Sequence, residues 1–161
     1  MCHDDELLQL MKASGCQGVL IGFESLEPAN LKAMNKGFNM HYGGPTAVVQ
    51  KLHRLGLRLY ATFIFGYEHD TLDSFRQAVD FCKTNKIFMV AFNHLTPFPG
   101  TPLYERLKRE GRLLYDSWWL DERYRYGQVP FRTALPPETI QAMCVEARKS
   151  FYSIPSILSR A

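Results

Sequence analysis

The sequence predicts an α/β fold in which helices cover a short parallel sheet. Three segments are typical of buried strands, being almost uniformly apolar and rich in β-branched and aromatic residues: "GVLIGF", "LRLYATFIFG" and "IFMVAF". Segments with helical periodicity separate them, and this alternation indicates right-handed βαβ units. Successive strands start about 30 to 40 residues apart, which fits either a doubly wound sheet or a (β/α) barrel.

Glycines and prolines mark where the helices begin and end. Glycine follows the last periodic residue of four predicted helices, at Gly15, Gly37, Gly56 and Gly111. Asp70 or Thr71 can cap the helix between the second and third strands. A last helix opens at Pro137, and Pro155 breaks it. The strands are therefore separated by helices with recognisable ends, as a parallel sheet requires.

The composition is that of an ordinary globular protein and excludes several function classes. Of 161 residues, 46% are hydrophobic and 22% are charged, and the net charge of +3 comes from interleaved charges. A nucleic-acid-binding protein normally carries a concentrated basic stripe, so we expect no nucleic-acid partner. The apolar runs are too short to span a membrane, and the acidic N-terminal segment differs from a signal peptide. We therefore expect a cytoplasmic protein with no membrane span.

The cysteines give no sign of a metal centre. The chain has four of them, widely separated, at Cys2, Cys16, Cys82 and Cys144. Neither the paired spacing of metal ligands nor a disulfide framework is present. We therefore predict no metal ligand in this chain.

Polar residues follow each predicted strand. They occupy positions 23–25, 66–70 and 93–97. Because the carboxyl ends of parallel strands meet at one edge, we expect these residues to surround one ligand-binding mouth. Taken singly, each has an ordinary interpretation: Glu24 can be a surface carboxylate paired with Lys36, and Asp70 a helix cap.

Four motifs in order resemble the radical S-adenosylmethionine superfamily, and most closely its members with an N-terminal cobalamin-binding domain. The motifs are "GVLIGFES", "LKAMNKG", "YATFIFGYEHDT" and "LTPFPGTPLY". The resemblance implies a partial (β/α)6 TIM-like barrel, with about three parallel strands and their covering helices over residues 1–114. These strands would correspond to the fourth, fifth and sixth of the barrel. Residues 115–161, with "YGQVPF" and "FYSIPSILSR", are similar to the group's C-terminal extension, and we expect one helix there.

The resemblance also implies a site for S-adenosylmethionine but no catalytic residue. The Glu-Ser pair would contact its ribose and methionine portion, and the lysine its carboxylate. The isoleucine and glycine at the second strand would contact adenine. The proline-rich turn would line the adenine side of the same mouth. The implied cofactor-binding residues are Glu24, Ser25, Lys36, Ile64, Gly66, Pro97, Pro99 and Gly100. The aromatic residues at 118–126 either pack against the fold or cover a substrate.

One departure from the superfamily matters more than the matches. The C-x3-C-x2-C motif, whose thiolates hold a 4Fe–4S cluster, does not occur in this sequence. The resemblance therefore implies a fragment of an enzyme that cleaves S-adenosylmethionine to a 5′-deoxyadenosyl radical, with cobalamin as a further cofactor for methyl transfer. Its partner would be the missing N-terminal half-barrel or a self-associating copy.

Two alternatives stay open, and with them whether the chain is itself an enzyme. It is either a catalytically inactive, truncated half-barrel or a small α/β nucleotide-binding module. Against the module, neither G-x-x-x-x-G-K-[ST] nor G-x-G-x-x-G occurs in the sequence.

Overall fold

The computed structural model describes residues 4–37 and 43–160, which form three strands and seven helices. The strands are β1 (Gly18–Glu24), β2 (Arg58–Phe65) and β3 (Met89–His94). The helices are α1 (Asp5–Ala13), α2 (Pro28–Ala33), α3 (Gly44–Arg54), α4 (Leu72–Thr84), α5 (Pro102–Arg109), α6 (Pro137–Phe151) and α7 (Ile154–Arg160). None of the helices within the described ranges is long and apolar enough to cross a membrane.

The three strands form one parallel sheet in the order β1-β2-β3, which confirms the predicted α/β half-barrel. Gly18 pairs with Arg58 at the start of the sheet, and Ile64 pairs with Asn93 near its end. All carboxyl ends therefore lie on the same side, where the polar segments after the strands meet.

The two faces of the sheet differ in burial. Along β2 the alternate residues Leu59 to Phe65 are buried and pack against the helices. The opposite face would line the inside of a barrel, and it is only partly covered. On it, Leu20 and Met89 flank Tyr60 as cross-strand partners, and they are 60% and 42% exposed. The inner face of the half-barrel is therefore open.

Side chains from the extension cover the outer edge of β3. The Tyr152 hydroxyl donates to the Val90 carbonyl oxygen at 2.8 Å and accepts from the Val90 N–H at 3.0 Å. Arg148 Nη1 donates to the Phe92 carbonyl oxygen at 2.6 Å. These contacts take up backbone groups that a further strand would otherwise pair with.

The extension contains two helices, and the prediction of a single helix there was wrong. Helix α6 ends at Phe151, and α7 begins at Ile154. Pro155 lies in the first turn of α7, where its missing N–H costs nothing because the first helical N–H groups have no partner within the helix. The proline thus stops one helix and starts another. The domain division at residue 114 stays a prediction.

Candidate functional site

Glu24 ends β1 in an unusual backbone conformation. Its φ is +66°, and the pairing with β2 shifts register between Gly22 and Glu24, which marks a bulge. A side chain at Gly22 would collide with Glu24 Oε1, so only glycine leaves room for the carboxylate to fold back over the strand. Bulges and positive φ values at non-glycine residues recur next to binding sites, where they redirect a side chain.

The Glu24 carboxylate is buried, and only one of its two oxygens has a partner among the described residues. The residue is 8% exposed, and its Oε1 forms an ion pair with Lys36 Nζ, which is the pairing that the ordinary interpretation of Glu24 gives. The binding of a ligand carboxylate by Lys36, which the resemblance implies, stays a prediction. Its Oε2 is buried and has no hydrogen-bond partner among the described residues. A buried carboxylate oxygen without a partner is costly, so this atom marks a place where a ligand donor would be stabilised.

Ser25 is buried next to Glu24, and its hydroxyl shapes the turn into α2. Its Oγ accepts from the Glu27 N–H at 3.0 Å, and the Glu27 side chain in turn caps α2 by accepting from the Ala29 N–H at 3.2 Å. Ser25 is 5% exposed. An accepting serine oxygen still has its own proton to donate, so Ser25 can contact a ligand and support the turn together.

A buried pair behind the mouth was not predicted from the sequence. Asn30, fully buried in α2, donates from Nδ2 to Asp70 Oδ1 at 2.9 Å and accepts from the His69 N–H at 3.1 Å. Asp70 Oδ2 accepts from the N–H groups of Gly66 and Tyr67 at 2.7 and 2.9 Å. Asp70 therefore fixes the loop after β2, while Thr71 caps α4 with Ser74.

Burial raises the pKa of Asp70, although its three hydrogen bonds act in the opposite direction. Burial is also the main cause of the raised pKa of Tyr67, followed by the negative charge of Glu24. Tyr67 lies on the loop that Asp70 fixes at the carboxyl end of β2, and it is therefore a further candidate for ligand contact. The sequence places this tyrosine directly after Gly66, but no sequence pattern singled it out.

Gly66 and Ile64 lie where the second strand meets the mouth. Gly66 has a φ of +119°, and a side chain there would come within 3.3 Å of the Leu95 Cβ. Ile64 is half-buried on the inner face of the sheet, and it lines a cavity of about 900 Å³ beside β3. Ile64 therefore lines the cavity and Gly66 directly follows β2, and contact of either residue with adenine stays a prediction.

The residues of the proline-rich turn differ in burial. Pro97 is buried, and its carbonyl oxygen accepts from Trp118 Nε1 at 2.9 Å. Pro99 and Gly100 are exposed in the turn before α5, and none of the three residues lines the cavity. Of the eight predicted residues, the structure brings Glu24 and Lys36 into direct contact. It leaves Pro99 and Gly100 at the surface.

The cysteines do not form an iron–sulfur site in the described part of the chain. Burial raises the pKa of the Cys82 and Cys144 thiols to about 12, so both are protonated at neutral pH, whereas cluster ligands are thiolates. Over residues 4–37 and 43–160, no group of three His, Cys, Asp or Glu side chains could hold a metal ion. A 4Fe–4S cluster therefore does not fit these residues.

Residues 101–161 match a family model described as a domain of unknown function, DUF4070. Among curated proteins, the chain is 36% identical over 155 residues to bacteriochlorophyllide d C-12(1)-methyltransferase of Chlorobaculum tepidum. This match covers 96% of the chain and 33% of that protein. It is 30% identical over 155 residues to hopanoid C-2 methylase of Rhodopseudomonas palustris, covering 96% of the chain and 28% of that protein. The chain thus spans about a third or less of the length of these relatives.

A solved structure has the same fold. The chain superposes on the radical S-adenosylmethionine methyltransferase TsrM from Kitasatospora setae, which was solved with cobalamin and a 4Fe–4S cluster bound. The TM-score is 0.53 at 22% identity, and the match covers 92% of this chain and 28% of that one. At this identity the likeness establishes the fold alone.

Proposed function

Because the resemblance to the radical S-adenosylmethionine superfamily, in its cobalamin-associated group, is confirmed, we propose that this chain forms one wall of an S-adenosylmethionine site in a methyltransferase. The curated relatives are named as methyltransferases or methylases, and they align with this chain over nearly its whole length. We propose the cytoplasm as its location from the sequence alone.

The buried Glu24 carboxylate carries this proposal. Its Oε2 has no partner within the described residues and lies at the carboxyl end of a parallel strand, where ligands of such sheets bind. A ribose hydroxyl or the methionine ammonium of S-adenosylmethionine would donate to it. Lys36, 39% exposed at its side chain, keeps part of its ammonium open to the carboxylate of the same ligand.

The chain's own residues bind and orient the ligand in this proposal. Ser25, the residue after Glu24, supplies one hydroxyl group, and Tyr67 supplies a second from the loop that the Asn30–Asp70 pair fixes. When bound, S-adenosylmethionine would supply the methyl group or the 5′-deoxyadenosyl group of the superfamily's chemistry. The iron–sulfur cluster would be held by the proposed N-terminal half-barrel, because this sequence has no C-x3-C-x2-C motif, and cobalamin is proposed by analogy with the group.

We also propose an N-terminal half-barrel as the partner. The open inner face, with Leu20 and Met89 exposed, needs covering, and β1 has no further strand paired to it in the described part of the chain. The outer edge of β3 is covered by Tyr152 and Arg148. A partner would therefore continue the sheet from β1.

The test is S-adenosylmethionine binding to the 161-residue chain, measured by isothermal titration calorimetry. We expect Glu24→Gln to weaken binding by about 10- to 100-fold, since charge-assisted hydrogen bonds contribute about 1.5–3 kcal/mol. Glu146→Gln, an exposed carboxylate on α6, is the matched control and should bind as the wild type does. Circular dichroism verifies that both variants are folded.

Two results would contradict the proposal. One is an affinity for S-adenosylmethionine that is equal in the wild type and in Glu24→Gln. The other is the absence of binding to the folded wild-type chain, which would favour the inactive half-barrel over a chain that binds the cofactor.

A further inference from the structure

A concave site lies at the end of β3, and its wall includes aromatic residues of the segment 118–126, which the sequence predicted either to pack against the fold or to cover a substrate. It is a cavity of about 900 Å³ between the end of β3, the segment 118–127 and helix α6. Small-molecule pockets in proteins range from about 300 to 1,000 Å³, so this cavity has the size of a ligand site. Ile64 and Asn93 line its inner side, which places it next to the open face of the half-barrel.

One wall of this cavity is aromatic and fixed in position. Trp118, 8% exposed, is held by the hydrogen bond from its Nε1 to the Pro97 carbonyl oxygen. The centroid of the Tyr124 ring lies 4.9 Å from that of the Trp118 ring, and the centroid of the Phe98 ring lies 6.3 Å from it. Both contacts are edge-to-face. Tyr126 also lines the cavity, and it is 99% exposed. Aromatic faces held in this way offer a surface for stacking a planar ring.

The wall formed by α6 carries a positive charge without a carboxylate partner. Arg148 uses one of its five N–H donors on the Phe92 carbonyl oxygen, and it forms no ion pair with the described residues. His94 lines the same cavity, and burial followed by the charge of Arg148 lowers its pKa, so its imidazole is neutral at pH 7. Among the described residues that line the cavity, the Arg148 guanidinium is therefore the single full charge.

We propose that this cavity binds a planar, conjugated ring compound that carries a carboxylate, with the rings on the Trp118 wall and the carboxylate on Arg148. Tyr126, 99% exposed at the rim, would contact the outer ring face. The assignment of this ligand as the methyl-acceptor substrate rests on the proposed function. The binding site itself is inferred from the cavity and its lining residues alone.

The test uses two probes of the same shape, 1-pyrenecarboxylate and 1-pyrenemethanol, and follows pyrene fluorescence anisotropy as the 161-residue chain is added. We expect the carboxylate to bind more tightly than the alcohol. Arg148→Gln should weaken binding of the carboxylate about tenfold and change binding of the alcohol less than about twofold. Arg148→Lys keeps the charge and should recover most of the loss, and Arg109→Gln, exposed on α5, is the matched control.

The stacking wall has a separate test. Tyr126→Ala removes a side chain that supports no part of the fold, so it should weaken binding of both probes about threefold while leaving the unfolding transition unchanged.

Each contrary outcome overturns a defined part of the proposal. If neither probe shows saturable binding, the proposed site is refuted. If Arg148→Gln weakens the binding of both probes equally, the assignment of the carboxylate to Arg148 is refuted. S-adenosylmethionine binding is measured without the probes, so a failure here and a failure of the proposed function are distinguishable.

Discussion

Substitution of Tyr152 by phenylalanine tests how the outer edge of the sheet is closed. The change removes one hydroxyl group and keeps the ring. It therefore removes both hydrogen bonds to Val90, the donated one at 2.8 Å and the accepted one at 3.0 Å. Val90 is 3% exposed, so its backbone N–H and carbonyl oxygen would lose their partners at a buried position.

The expected cost follows from these two bonds. A typical intramolecular hydrogen bond contributes about 1 kcal/mol net, and two would give about 2 kcal/mol. Tyr152 is itself 41% exposed, so water can reach part of the gap and reduce the loss. We expect the free energy of unfolding to fall by about 1.5 kcal/mol.

Urea denaturation followed by circular dichroism measures this loss. With a slope of about 2 kcal/mol/M, the midpoint should move down by about 0.7 M. Tyr126→Phe is the matched control, because that residue is 99% exposed and its hydroxyl has no hydrogen bond to the described residues. An unchanged midpoint for Tyr152→Phe, or an equal shift in both variants, would refute the reasoning.

Two further substitutions test the loop after β2. Gly66→Ala should lower the free energy of unfolding by about 2 kcal/mol, because φ is +119° and the new Cβ would press on Leu95. Gly111→Ala is the control and should lower it less, because there is open space around that residue. Equal urea midpoints for the two variants would contradict this prediction. Asp70→Asn should destabilise by about 1–3 kcal/mol, because both Asp70 oxygens accept hydrogen bonds and the new NH2 group would face either the Asn30 amide donor or the N–H groups of Gly66 and Tyr67. Because the folded-state pKa of Asp70 is raised, the stability linked to its titration is fully present below the ordinary pKa of 3.8 and is lost as pH rises through the folded-state pKa. The advantage of the wild type over Asp70→Asn should therefore shrink with rising pH, and a growing advantage in urea titrations would contradict this sign.

The parallel sheet could be predicted because its strands are buried and therefore uniformly apolar, a pattern that depends on local sequence. The Asn30–Asp70 hydrogen bond could not, because it joins residues 40 positions apart and depends on how α2 lies against the loop after β2. Asn30 sits in a short helix without strong periodicity, so nothing local marked it as buried.

The candidate site was predicted unevenly for a similar reason. The sequence left two interpretations of Glu24, pairing with Lys36 or contact with a ligand, and it did not show the bulge that buries the carboxylate, because the bulge follows from the register with β2. Pro99 and Gly100 belong to the same motif as Pro97 and are nevertheless exposed. A sequence motif identifies the turn, whereas the contacts of the turn decide which of its residues face the mouth.

The closed edge of β3 has a consequence for assembly. Copies that joined head to tail, β3 of one against β1 of the next, could add without limit and form a filament. Tyr152 and Arg148 occupy the backbone groups that such growth would need. Joining two β1 edges instead would give a closed, antiparallel pair that cannot complete a parallel barrel. The described part of the chain thus leaves one edge, that of β1, for a strand-forming neighbour, and a one-to-one stoichiometry with the proposed half-barrel partner follows if that proposal holds.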